Sequence, residues 1–227
     1  ASPRGSRVDG FNPEYGAPTL PTLETLREGM DEKDLWPINK EVWDYHDGGG
    51  FHLMSTMYKD LVNNYGTSQS IEEFAKKGQL VGAKTIWEVW NYNKLDYGDR
   101  YCSGLLFWYH NCPVRQVCAR MWDWSLEPTA SLYHTQNALE PLHAQFDYLK
   151  NTVSVCNDYY RSFKNYKVKA DVYDLNSKKV FSYSQQIDIG EDEVLNDLFK
   201  IDFPSDITPV HFIRIGLSDE KGKEVAS

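Results

Sequence analysis

Glu14 sits between two backbone constraints. In "DGFNPEYGAP", residues 9–18, an Asn-Pro step precedes it and a Tyr-Gly step follows it. Both dipeptides mark breaks in regular structure, so the stretch reads as a stiff, aromatic-flanked turn. Pro13 fixes its own φ and restricts Asn12, Gly16 permits a sharp exit, and Tyr15 could donate to the carboxylate or pack beside a ligand. Free glutamate, with a pKa of about 4.3, is already ionised at neutral pH. To act as a nucleophile it needs aim, because a misplacement of about 1 Å can cost roughly a hundredfold. The competing reading is a solvated turn residue, which composition alone favours.

Other residues offer binding rather than covalent chemistry. Trp108 lies in the apolar run "GLLFWYHN" and could present its face to a ligand or pack in a core. His110 and Asn111 follow it, within reach of a pocket or in support of one. Trp43, Tyr45, His46 and Asp47 lie in "VWDYHDGGG", a loop-like stretch whose glycines Gly48, Gly49 and Gly50 permit an arch. Aromatics beside polar groups suit a ligand subsite; packing within the loop is the alternative. Trp122 and Trp124 read mainly as packing, and Trp87 and Trp90 as core on a helix. Cys102, Cys112, Cys118 and Cys156 form no Cys-x-x-Cys pair and the six histidines complete no zinc pattern, so no metal is expected. Buried or idle thiols are the simplest reading, with a disulfide among the first three left open.

Two kinds of element must carry these residues. "SIEEFAKKGQLVGAKTIWEVWNYN" opens with Ser70 and Glu73 at capping-box spacing and continues at helical period. Gly78 and Gly82 cost helix about 1 kcal/mol each and would let another backbone come close. "GLLFWYHN" reads as a central strand buried on both faces. A second helix is expected from Pro128, with Pro141 ending it. Beyond about residue 145 there is no tryptophan, and "NTVSVCND", "YKVKADVYDL", "KVFSYSQQIDI", "LFKIDFP" and "HFIRIGLSDEKGKE" alternate apolar and polar residues at strand period. That is the pattern of a β-sandwich, with a final strand cut short at "EVAS".

Composition narrows the partners. The net charge is −9 and no lysine-arginine block stands out, which argues against nucleic acid. No apolar run approaches the roughly 20 residues of a membrane helix, and "ASPRGSRVDG" lacks the apolar segment of a signal peptide. No Asn-x-Ser/Thr sequon occurs, so the residues select no compartment.

Four motifs together resemble one family. "FNPEYGAP" is similar to the segment bearing the nucleophile of glycoside hydrolase family 2, at the end of barrel strand seven. "LWPINKEVWDYHDGG" resembles a loop of its exo-β-glucosaminidase and endo-β-mannosidase relatives. "GLLFWYHN" resembles strand eight, where the family places an aromatic under the sugar. "MWDWSLEPTASLYHTQNALEPLHAQFDY" resembles the join to an immunoglobulin-like domain. The resemblance spans nearly the whole chain, in order. It implies an α/β plus all-β fold: the last strands and helices of a (β/α)8 TIM barrel over residues 1–142, then an immunoglobulin-like β-sandwich over 143–227. It implies a retaining β-glycosidase acting on β-mannosides or β-glucosaminides without a cofactor. Glu14 would be the nucleophile, and Trp108, Tyr15, Trp43, Tyr45, His46, Asp47 and Asn111 would bind substrate. A cis Trp108–Tyr109 peptide is also implied. The family's acid/base lies after strand four, so this chain is expected to lack it, to be inactive alone, and to associate with the remaining portions of the same enzyme through unpaired strand edges. The alternatives are a non-catalytic carbohydrate-binding or scaffolding fragment, and a relative acting on β-galactosides or β-glucuronides.

Overall fold

The computed structural model describes residues 10–16, 19–47, 53–94 and 102–226. The elements run β1 (Asn12–Tyr15), α1 (Leu23–Gly29), α2 (Glu32–Leu35), α3 (Lys40–Tyr45), α4 (Leu53–Tyr65), α5 (Ile71–Lys94), β2 (Leu105–Phe107) and α6 (Ala130–Ala138). Seven strands follow: β3 (Leu142–Asp147), β4 (Thr152–Asn157), β5 (Phe163–Asp174), β6 (Lys179–Ile189), β7 (Glu193–Lys200), β8 (His211–Ser218) and β9 (Glu224–Ala226). The chain divides into two compact units, one built on β1, α1–α5 and β2, the other on β3–β9 with the last turn of α5.

Phe74 organises the first unit. It is fully buried on α5, and Trp36, Trp43 and Tyr58 ring it at centroid distances of 5.9, 5.8 and 6.0 Å. Leu20, Leu26, Leu35, Met57 and Leu61 complete this core. The start of α5 is capped as its sequence predicts: Ser70 Oγ accepts the Glu73 N–H at 3.3 Å. The return arm differs, because Glu73 Oε2 accepts from the Gln69 N–H at 2.8 Å instead of from Ser70. Gly78 and Gly82 do admit close backbone approach. A Cβ on Gly78 would lie 2.3 Å from Leu20 Cδ1, and one on Gly82 2.2 Å from Thr19 Cβ. Thr19 Oγ1 donates to the Gly78 carbonyl at 3.2 Å across this seam.

Several expectations are corrected. The short helices α1–α3 and the 13-residue α4 were not expected. The run around β2 is no doubly buried strand: only three residues pair, and Leu106 is 55% exposed because the sheet β1–β2 has two strands. α6 begins at Ala130, not Pro128, because Pro128 is engaged in a bridge to Trp122. No disulfide forms among the described cysteines; all four are free, and Cys112, Cys118 and Cys156 are buried. The side chains of Trp87 and Trp90, and the loop glycines Gly48, Gly49 and Gly50, lie outside the described residues.

In the second unit two antiparallel sheets, ordered β3-β4-β7 and β6-β5-β8-β9, bury one apolar core. Period-two alternation is cleanest in β5, where Val168, Ala170 and Val172 are fully buried and Lys167 and Lys169 face out. The segment "LFKIDFP" contributes only its first residues, to β7, and the pairing starts earlier, at Glu193. Asp171 breaks the alternation as a buried carboxylate. Burial would raise its pKa, but Lys169 at 2.8 Å, the Ser182 hydroxyl at 2.6 Å and Lys179 at 3.2 Å outweigh that and hold it down to about 2.

His143 on β3 is 2% exposed. Lys94 lies nearby, donating to the Glu140 carbonyl at 2.8 Å, and the Glu140 carboxylate stands 3.8 Å from the ring. Burial, reinforced by the Lys94 charge, pushes the imidazole down from 6.5 to about 4. The unfolded ring therefore takes a proton near pH 6.5 and the folded ring only near pH 4. Stability from keeping it neutral is whole above the higher value and is lost as pH falls toward the lower. Urea unfolding should weaken by about 2 kcal/mol between pH 7 and pH 5. His143→Gln should flatten that dependence. Asp171 titrates below this window, and an unchanged slope in the variant would remove His143 as the cause.

Candidate active site

β1 and β2 run parallel, with Asn12 opposite Leu105 and Tyr15 opposite Phe107. Glu14 is thus in a strand rather than the turn its flanking dipeptides indicate. Proline is compatible with a strand whose N–H need not pair, and here the Asn12 side chain accepts the Glu14 N–H at 3.2 Å. The Asn12 N–H donates to the Gly104 carbonyl at 2.9 Å, and the Trp108 N–H to the Tyr15 carbonyl at 2.6 Å. Parallel pairing in this register brings Glu14, Tyr15 and Trp108 to the same C-terminal strand ends. The Glu14 side chain is exposed. Trp108 is 40% exposed, so its indole is neither buried nor free of support. Tyr15 is half-buried and its hydroxyl donates to the Thr85 carbonyl at 3.5 Å.

The support under Trp108 comes from residues that sequence reasoning missed. The Trp108–Tyr109 peptide is cis, as the resemblance implies, and the Tyr109 ring meets the indole edge-on at 5.3 Å. The Tyr109 hydroxyl oxygen accepts from Gln116 Nε2 at 3.0 Å. The Arg120 guanidinium lies over the Tyr109 ring, 4.9 Å from its centroid. Burial pushes the Tyr109 phenol and the Cys112 thiol up. An arginine inside the apolar run "VCARMW" was the one available signal.

The "VWDYHDGGG" residues divide. Trp43 is not in a loop: it lies on α3 and is buried, with its indole N–H donating to the Asp34 carbonyl at 2.9 Å and its ring edge-on to Phe74. Asp47 is buried too, accepting from the Met54 N–H at 3.0 Å and the Cys118 thiol at 3.4 Å. Both side chains are spent on internal contacts, so neither is presented to a ligand. Burial, followed by the Asp47 charge, raises the Cys118 thiol well above its ordinary value. Tyr45 is 85% exposed at the end of α3. His46 is half-buried, with Nδ1 3.1 Å from the Arg115 carbonyl. Beside it Arg115 covers the Trp124 ring at 4.7 Å. Asn111 is exposed and bridges to Trp122, whose ring packs 4.4 Å from that of His110. Among the described residues no group of histidines, cysteines or acids could hold a metal ion, and no helix is long and apolar enough to cross a membrane.

No family model matches the chain. An exo-β-D-glucosaminidase of Amycolatopsis orientalis is 23% identical over 225 residues, covering 95% of this chain and 22% of that protein. An exo-β-D-glucosaminidase of Hypocrea jecorina is 26% identical over 228 residues, covering 94% and 25%. A mannosylglycoprotein endo-β-mannosidase of Lilium longiflorum is 23% identical over 183 residues, covering 74% and 19%. In fold, the crystal structure of Amycolatopsis orientalis exo-chitosanase matches with a TM-score of 0.84 at 22% identity, over 95% of this chain and 26% of that one. The β-D-mannosidase of Dictyoglomus thermophilum matches with a TM-score of 0.75 at 16% identity, over 92% and 26%.

The proteins that share this fold carry the names of glycosidases. Over most of its length the chain is similar to proteins named as exo-β-D-glucosaminidases and β-mannosidases. It spans about a quarter of the length of the exo-β-glucosaminidases it matches.

Proposed function

We propose that this chain is the C-terminal part of a glycosidase barrel, followed by an immunoglobulin-like sandwich, in a retaining β-glycosidase acting on β-mannosides or β-glucosaminides. The observation that carries the reading is the parallel pairing of β1 with β2, with Glu14 and Trp108 at adjoining C-terminal strand ends. Barrel enzymes keep their chemistry at that end. Glu14 attacks the anomeric carbon and the glycosidic C–O bond breaks, leaving a glycosyl ester on Glu14. A second carboxyl group, about 5–5.5 Å from the first, protonates the leaving oxygen and then takes a proton from the water that cleaves the ester. That second group comes from a part of the protein outside this chain, so the chain alone turns over nothing. Trp108 is the platform for the sugar ring, and the exposed residues Tyr45 and Asn111, with His46, line outer positions.

An activated fluorosugar of manno or glucosamine configuration should trap the complete protein as a covalent adduct. Peptide mapping is expected to find the label on Glu14. A label on another residue, or a protein that turns over substrate and never traps, would sink the assignment. A non-catalytic sugar-binding reading uses the same exposed indole, and it predicts binding without any adduct. Trp108→Ala should raise KM for an aryl β-glycoside by about tenfold to a hundredfold, the loss expected for one aromatic platform. Initial rates across substrate concentration measure this, and an unchanged KM would remove Trp108 from the subsite.

A further inference from the structure

Arg120 is 3% exposed and lies in the first unit. A buried guanidinium is costly unless an anion and a full set of acceptors satisfy it. Here Nη1 donates to the adjacent Ala119 carbonyl at 3.1 Å, and Nε has no acceptor among the described residues. No carboxylate within ion-pair distance of Arg120 occurs among those residues. What the guanidinium does touch is informative. It lies over the Tyr109 ring, which in turn abuts the Trp108 indole. Its Nε is also 3.9 Å from the point a Cβ on Gly16 would occupy, a point only 2.0 Å from the Trp108 carbonyl oxygen. One buried cation therefore stacks on the residue just after Trp108 and borders the space beside Gly16, two residues after Glu14.

The segment holding Arg120 is itself anchored. Ala119 and Thr19 exchange backbone hydrogen bonds, with the Ala119 N–H donating at 2.7 Å, and the Thr129 hydroxyl donates to the Arg120 carbonyl at 2.6 Å. The backbone that carries the guanidinium is thus held on both sides. Hydrophobic residues of similar volume usually replace unpaired buried charges at no loss of stability, or with a gain. A charge kept in such a place marks a position where local stability has been given up, and such positions concentrate at functional sites.

We propose that Arg120 is a positioning residue that sets the Glu14 strand end and the Trp108 platform in register, retained at a cost in stability. The inference rests on Glu14 as nucleophile and Trp108 as platform. It predicts opposite signs for stability and turnover. In the complete protein, Arg120→Met should leave the melting midpoint unchanged or raised while kcat/KM on 4-nitrophenyl β-D-mannoside or β-D-glucosaminide falls about a hundredfold, the effect of roughly 1 Å of misplacement. Arg120→Lys keeps the charge but not the planar stack on Tyr109 and should recover little. An unchanged kcat/KM overturns the proposal. So does a loss that follows a lowered midpoint and disappears on cooling.

A spectroscopic arm separates this failure from that of the underlying reading. With 5-fluorotryptophan incorporated, the Trp108 resonance, assigned by its loss in Trp108→Phe, should broaden or shift in Arg120→Met and in Tyr109→Leu. An unmoved line overturns the proposal whatever the enzyme turns over. A moved line with Glu14→Gln fully active would leave the platform contact standing and remove the nucleophile.

Discussion

Glu14→Gln in the complete protein is expected to lower turnover of an aryl β-glycoside by at least roughly 10³-fold and to leave the fold intact. The asymmetry follows from where the side chain sits. Glu14 is exposed, and the hydrogen bond that fixes its residue runs from its backbone N–H to Asn12 Oδ1, which the substitution keeps. The amide is nearly isosteric with the carboxylate but is a poor nucleophile. The unfolding midpoint should correspond to a change within about 0.5 kcal/mol, as for other exposed substitutions. Rates and urea unfolding measured on the same preparation separate the two quantities. Near-normal hydrolysis would falsify the nucleophile assignment directly.

Gly16→Ala should do the reverse, acting first on structure. Its Cβ would stand 2.0 Å from the Trp108 carbonyl oxygen and 3.2 Å from the carbonyl carbon. Backbone atoms cannot rotate away as a side-chain tip can, and Trp108 is tied to β1 by the 2.6 Å bond from its own N–H to the Tyr15 carbonyl. The strand ends must part for the methyl to enter. A cost of about 2–4 kcal/mol is expected, with loss of activity following from the displaced Trp108. Gly29→Ala is the control. Its Cβ meets nothing within 4 Å, and at the end of α1 alanine should be neutral or stabilising by about 0.5–1 kcal/mol. Equal unfolding midpoints for the two variants would show that the close approach carries no energy.

How far these positions could be read in advance depends on the kind of signal. Strands β4, β5, β6 and β8 were legible because a two-residue period leaves one solution: Val168, Ala170 and Val172 on one face, lysines on the other. The start of α5 was legible because a capping serine and a glutamate three residues on have a mechanism. The helices α1–α4 were not. α1, α2 and α3 are only 7, 4 and 6 residues long, and what fixes them and α4 is long-range packing in the core that contains Phe74. Trp43 was misplaced for that reason. "DYHDGGG" looks like a loop, and the glycines are real signals, but the tryptophan before them belongs to the core. Glu14 was legible as a constrained carboxylate, although the constraint is a strand ending at Tyr15, just before Gly16, rather than a turn. Arg120 gave one weak signal, its place inside the apolar run "VCARMW", and nothing local says what its guanidinium will stack on.

Gly16, Gly78 and Gly82 share a property with an evolutionary consequence. At each, the smallest increment available to a protein, one methyl group, already meets a neighbour at 2.0, 2.3 or 2.2 Å. At Gly16 and Gly82 the neighbours include backbone atoms, so substitution there is the most restricted. Tyr45 and Asn111, which are exposed and carry no such limit, are where a lineage could change what it recognises. Under the proposed function, the backbone around Glu14 would stay fixed while Tyr45 and Asn111 remain free to vary.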